Sequence, residues 1–194
     1  MQGSYSSNDS PRENSGSVEI EGIARASLDE LEALANQSDR WDDDWQVWEM
    51  VRDLSVGRMR NADLDEETQL RWCRLALAAL RRKRSSAEFD SASILADEVY
   101  VRVFAVQHFG AVYGDPVQDP IEVCRSVFIE IHESRADVAA ATAEWRSLSK
   151  SEILRLRRIK NLLTRLRPIA DCIPREAPQH QQLSEWLQLI PRLP

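Results

Sequence analysis

Apolar residues recur at three- and four-residue spacings through most of the chain, which is the period of an α-helix. The densest stretch is 88–113. Wound at about 100° per residue, it places Ile94, Val101 and Val112 on one side, Leu95, Val99 and Val106 on a second, and Ala96, Tyr100 and Phe104 on a third. A helix that is apolar nearly all round has no broad face for water. The spacing therefore predicts a central buried rod against which the other elements pack. The run Val99, Val101, Val103 would also suit a strand, but a strand needs pairing partners, and the only other candidate is Val127 to Ile131. Helix is the better reading.

Helix starts are marked by a recurring device, a Ser or Asp followed three residues later by Glu where an apolar helical period begins. The pattern is that of a capping box, in which two backbone donors of the first turn are satisfied reciprocally. It occurs at Ser27/Glu30, Asp63/Glu66, Ser85/Glu88, Asp119/Glu122 and Ser149/Glu152. Asp119 is followed by Pro120, whose missing N–H costs nothing at the first helical position. Ser149 lies between Leu148 and Ile153, in hydrophobic-staple positions. These starts predict helices at Leu28 to Asn36, Asp42 to Arg58, Leu64 to Arg84, Ala87 to Tyr113, Pro120 to Leu148 and Lys150 to Arg167. The clearest turn runs from Gly114-Asp115-Pro116 to Asp119-Pro120.

The expected architecture is an all-α, irregular bundle of about six helices around the 88–113 rod. Residues 1–26 are rich in Ser, Asn and Gly and offer too little apolar surface to offset the entropy of ordering. They are expected to form a disordered tail. Residues 27–167 form the bundle domain, and 168–194 a C-terminal extension. That extension is punctuated by Pro174, Pro178, Pro191 and Pro194, with a short amphipathic helix carrying Leu183, Trp186, Leu187 and Ile190.

Composition narrows the class. The start of the chain has no cationic segment followed by an apolar one, and the 88–113 rod is interrupted by Asp97, Glu98, Arg102 and His108. No membrane span is expected, and the expected compartment is the cytoplasm. Cys73, Cys124 and Cys172 are far apart, without a CxxC pair or zinc spacing, so they read as reduced thiols. Net charge is −7. Its distribution is uneven: from Lys150 to Arg167 there are seven basic residues and one acid, a local +6 that leaves −13 for the remainder. Arg155, Arg157, Arg158, Lys160, Arg165 and Arg167 supply the candidate binding face, while Leu156, Ile159, Leu162, Leu163 and Leu166 share the opposite stripe. Such a face is a solvated surface, a match for acidic protein, or a phosphate-neutralising surface. Acidic protein is the favoured partner and nucleic acid the alternative.

From Glu19 to Asp53, eleven acids face three bases, so internal pairing with the basic helix is a third possibility. Trp41 and Trp45 flank Asp42-Asp43-Asp44 and fall outside the apolar stripe Val47, Trp48, Val51, Leu54. They join the binding candidates because Trp is enriched in anchors. Arg81-Arg82-Lys83-Arg84 ends a helix where cations favour the dipole.

Catalytic candidates are few. Arg102 and His108 have the spacing of the Arg-x4-6-His signature and in that respect the chain resembles the helical HEPN-type ribonucleases; the resemblance implies an RNA-cleaving helical enzyme. On one helix, however, six residues turn through about 240°, which points the two side chains to different sides. An i,i+4 pair of Glu98 with Arg102 is the structural alternative. His132 lies between Glu130 and Glu133, with no second His or Glu-x-x-His partner to make a di-iron site. Neither a metal nor any other cofactor is expected, and a small-molecule ligand is not expected either. The sequence favours a non-enzymatic interaction module, an accessory or adaptor subunit of a cytoplasmic complex.

Overall fold

A computed structural model of the chain describes residues 22–37, 45–84, 91–133, 138 and 147–194. The expected tail up to residue 21, Trp41, Asp42-Asp43-Asp44, the Ser85/Glu88 start, and residues 139–146 of the expected Pro120 to Leu148 helix lie outside the described residues. The last residues of the expected tail, 22–26, are ordered, because Ile23 finds apolar cover in the same core as Leu31. Within the described residues the fold is all-α. The elements are α1 (Leu28–Asn36), α2 (Trp45–Met59), α3 (Glu66–Arg84), α4 (Ser91–Phe109), α5 (Pro120–Glu133), α6 (Lys150–Leu166) and α7 (Pro178–Leu189), with 3-10 turns at Arg167–Cys172 and Ile190–Arg192.

The caps carry much of the local logic. At Ser27 and Ser149 both halves of the capping box form. Each Ser hydroxyl accepts from the backbone N–H three residues on, and each Glu carboxylate accepts from the Ser backbone N–H at 2.8 Å. Asp119 Oδ1 accepts from the Ile121 N–H at 2.8 Å, with Pro120 in the first helical position. The start of α3 differs from the expectation. Its cap is Asp65, not Asp63, and Asp65 accepts from both the N–H and the hydroxyl of Thr68 at 2.8 Å. The Thr hydroxyl gives Asp65 a second bond, and Asn61 accepts from the Asp63 N–H instead.

Helix α4 is a wall shared by two cores. Leu95, Val99, Val103 and Val106 face the first, which α5, α6, Ile169, Ile173, Leu183, Ile190 and Leu193 complete. Ile94, Val101 and Ala105 face the second, built from Leu31 of α1, Val47, Trp48, Val51 and Met59 of α2, and Trp72, Leu75, Leu77 and Leu80 of α3. This is why the rod reads as apolar nearly all round: each stripe serves a different core. Each core also encloses a cysteine, Cys124 in the first and Cys73 in the second, both fully buried, whereas Cys172 is only half-buried.

The rod is shorter than expected. It ends at Phe109 because Gly110 takes φ +88°, a left-handed conformation that terminates helices and suits glycine. Gln118 then reaches back, its amide donating to the Gly110 carbonyl at 3.1 Å, while Asp115 and Asp119 accept backbone N–H groups across the turn. Val112 and Tyr113, placed on the rod by periodicity, are exposed at 48% and 56%. The Tyr113 hydroxyl donates to the Cys172 carbonyl at 2.8 Å. At the far end α7 docks on α5 through an edge-to-face contact of Trp186 with Phe128, centroids 4.8 Å apart.

Candidate functional site

The basic helix is positioned by its apolar stripe. Leu156, Ile159, Leu162, Leu163 and Leu166 are all buried in the first core. Each contributes roughly 1.5–3 kcal/mol by leaving water, enough to fix the helix in one rotation and turn its cations outward. Arg155, Arg157, Arg158, Arg165 and Arg167 are exposed. Lys160 and Arg165 also have structural roles. Lys160 is half-buried, its ammonium donating to the Leu193 carbonyl at 2.8 Å and the Pro194 carbonyl at 3.4 Å, which ties down the chain end. Arg165 bridges to α4: its guanidinium donates to the Ala96 carbonyl at 2.9 Å and lies 5.9 Å from the Tyr100 ring centroid. Trp45 opens α2, half-buried and far along the chain from these cations.

The acids of α1 and α2 take cations from α2 and α3. Arg71 forks onto Glu32, Nε to Oε1 at 3.1 Å and the terminal nitrogen to Oε2 at 2.5 Å, and also reaches Asp29. These bonds, the one to Glu32 first, raise the Arg71 pKa further above its ordinary value. Lys83, almost fully buried, donates to Glu49, which Arg52 also contacts. Burial alone would raise the Glu49 carboxyl; the hydrogen bond from Lys83 and the charges of Arg52 and Lys83 outweigh it, and the net shift is downward. Two more cations at the end of α3 have partners. Arg82 donates to the Ala35 carbonyl at 3.2 Å and lies over Trp48, and Arg84 pairs with the buried Glu98 at 3.0 Å. Helix-dipole complementarity is therefore joined by specific contacts of Arg82, Lys83 and Arg84.

Arg102 and His108 face different neighbours. Arg102 is largely desolvated, which pushes its pKa down against the opposing pull of Glu98, and its buried Nε has no hydrogen-bond partner. His108 is exposed, its Nδ1 3.0 Å from the Phe104 carbonyl and its ring stacked on Phe104 at 4.0 Å. The expected Glu98–Arg102 pair gives way to Glu98–Arg84. A cleft of about 330 Å³ runs beside these charges, lined by Arg84, Leu95, Glu98, Ser126, Ile129 and Glu130 among others. The hydroxyl in its described lining, Ser126, donates to the Glu122 carbonyl at 3.0 Å.

Family models, curated proteins and solved structures were all compared with this chain, and none matches. Among the described residues no cluster of three His, Cys, Asp or Glu side chains could hold a metal ion. No described helix is long and apolar enough to cross a membrane.

One feature of the site was not anticipated. The third stripe of the rod, Tyr100 and Phe104, forms with Val103, Gln107, Arg165 and Pro168 an apolar groove of about 220 Å³ between α4 and the end of α6. Periodicity grouped Tyr100 with Phe104, but the approach of Arg165 and Pro168 depends on the tertiary packing of α6.

Proposed function

We propose that this chain is a non-enzymatic helical interaction module, an accessory or adaptor subunit that engages an acidic protein through the outer face of α6. The observation that carries this reading is the division of α6 into a fully buried Leu/Ile stripe and an exposed guanidinium face, in a segment, Lys150 to Arg167, whose local balance is +6 in a chain of −7. A cationic face held rigidly by its own core speeds encounter with a negatively charged partner and fixes register. The acids at Asp29, Glu32 and Glu49 support an external partner over an internal one, because they take Arg71, Arg52 and Lys83. The separated settings of Arg102 and His108 count against a ribonuclease.

The test is co-purification of the native protein with and without nuclease, alongside an Arg157→Glu, Arg167→Glu variant. A protein partner retained after nuclease treatment, lost in the variant and weakened by salt is the expected result. Nucleic acid that is retained at low salt and released by the same substitutions would replace this reading with a phosphate-binding one. Melting temperature should be unchanged in the variant, because both side chains are exposed.

A further inference from the structure

We infer that the groove between α4 and α6 seats an apolar side chain of the acidic partner, so that the partner segment is acidic and amphipathic, with a Leu, Phe or Trp anchor; this rests on the reading of α6 as the interaction face. The groove's floor is Tyr100, Val103 and Phe104, and its rim is Gln107, Arg165 and Pro168. At about 220 Å³ it is smaller than the roughly 300–1,000 Å³ of small-molecule sites, and suits one bulky side chain rather than a free ligand.

Charge complementarity selects the rest of the partner. Arg165 is the only charged residue among the described lining, and Arg60 stands 3.5 Å from the Tyr100 hydroxyl at the edge. No carboxylate lines the groove among the described residues. Arg165 is already ordered by the Ala96 carbonyl and the Tyr100 ring, so a carboxylate meeting it loses less side-chain entropy. Arg158 lies seven residues before Arg165, two turns and roughly 10 Å along the same face of α6. A helical partner laid beside α6 would meet these cations with acids at the same two-turn spacing, on either side of its anchor. Aromatic rings beside an arginine would also suit a nucleobase. The Gln107 amide and the Arg165 guanidinium could meet the polar edges of a base, but the groove floor is mostly apolar and the net charge of −7 opposes phosphate.

The experiment is selection of a displayed library of random 16-residue peptides on the full chain, followed by affinity measurement of the enriched peptides against variants. Gln107 is exposed, so Gln107→Trp fills the groove without disturbing either core. The expected peptides carry several acids around one large apolar residue. Their affinity should fall about tenfold or more with Gln107→Trp, or on changing the anchor to Ala, consistent with losing one buried side chain. The two changes together should cost no more than either alone. Arg157→Glu with Arg158→Glu should weaken binding in a salt-dependent way. Peptides weakened by that charge reversal but indifferent to Gln107→Trp would overturn the groove and leave the α6 reading standing. Enriched peptides that are neutral or basic, or that respond to neither change, would overturn both. Tighter binding of a single-stranded 20-nucleotide RNA, blocked by Gln107→Trp, would assign the groove to a base instead.

Discussion

Lys83→Met removes a charge from the end of α3 while keeping most of the apolar stem. The wild-type lysine side chain is 6% exposed and its partner Glu49 31% exposed, and the two lie 34 residues apart in sequence. Breaking a fully buried pair typically costs about 3–5 kcal/mol, because one charge stays behind uncompensated; an exposed pair is worth about 0.2–1 kcal/mol. This pair is intermediate, with Arg52 still beside Glu49, so about 1–3 kcal/mol is expected. For a chain of this size that corresponds to a fall of roughly 3–10 °C in melting temperature. Denaturant unfolding of Lys83→Met, Glu49→Gln and the double variant should give a coupling energy of about 1 kcal/mol or more. The pH dependence follows from the sign of the shift. The Glu49 pKa in the folded chain lies below its ordinary 4.5, so its contribution is present above about pH 4.5 and is lost as pH falls through the folded value. The stability gap between wild type and Glu49→Gln should close over that acidic range. A Lys83→Met protein within about 0.5 kcal/mol of wild type, or a gap that widens rather than narrows as the pH is lowered below 4.5, would refute the reasoning.

Two further outcomes follow from the fold. Ser149→Ala should cost about 1 kcal/mol by removing the hydroxyl that accepts from the Glu152 N–H; circular dichroism melting checks it, and Ser149→Asp should restore most of the loss. Leu80→Ala and Leu163→Ala each open a cavity in a different core at roughly 2–5 kcal/mol. Because α4 is common to both cores, each should shift one cooperative transition in calorimetry, and two resolved transitions would contradict the shared wall.

Elements whose cues are local were legible in the sequence. The capping boxes at Ser27 and Ser149 and the Asp119-Pro120 start needed only neighbours in the chain, and the apolar stripes of α2 and α6 needed only helical period. Even the two-sided burial of α4 was implied by its stripes, though not that each would serve a separate core. The end of α4 was misplaced because hydrophobicity continues through Val112 and Tyr113, while the stop signal is one residue, Gly110, whose positive φ outweighs the pattern. The partners of Arg71, Lys83 and Arg84 could not be read, since each is a long-range contact set by how α1, α2 and α4 pack on α3. The groove at Tyr100 and Phe104 was hidden for the same reason: one wall belongs to α4 and the other to α6 and Pro168. On α6 the count of cations was plain, but the use of Lys160 to hold the chain end and of Arg165 to hold α4 was not.

The placement of the three cysteines gives the molecule an internal reporter of its own opening. Burial pushes the thiols of Cys73 and Cys124 up to about 12, so near neutral pH they hold almost no thiolate and are shielded from reagents as well. Cys172, half-buried on the 3-10 turn after α6, is the one placed to react first. A mild alkylating pulse should therefore mark one site in the folded chain and three in the unfolded one. Since Cys73 and Cys124 sit on opposite sides of α4, mass mapping of the intermediate labelling pattern would tell which half of the molecule breathes first, or that neither opens without the other.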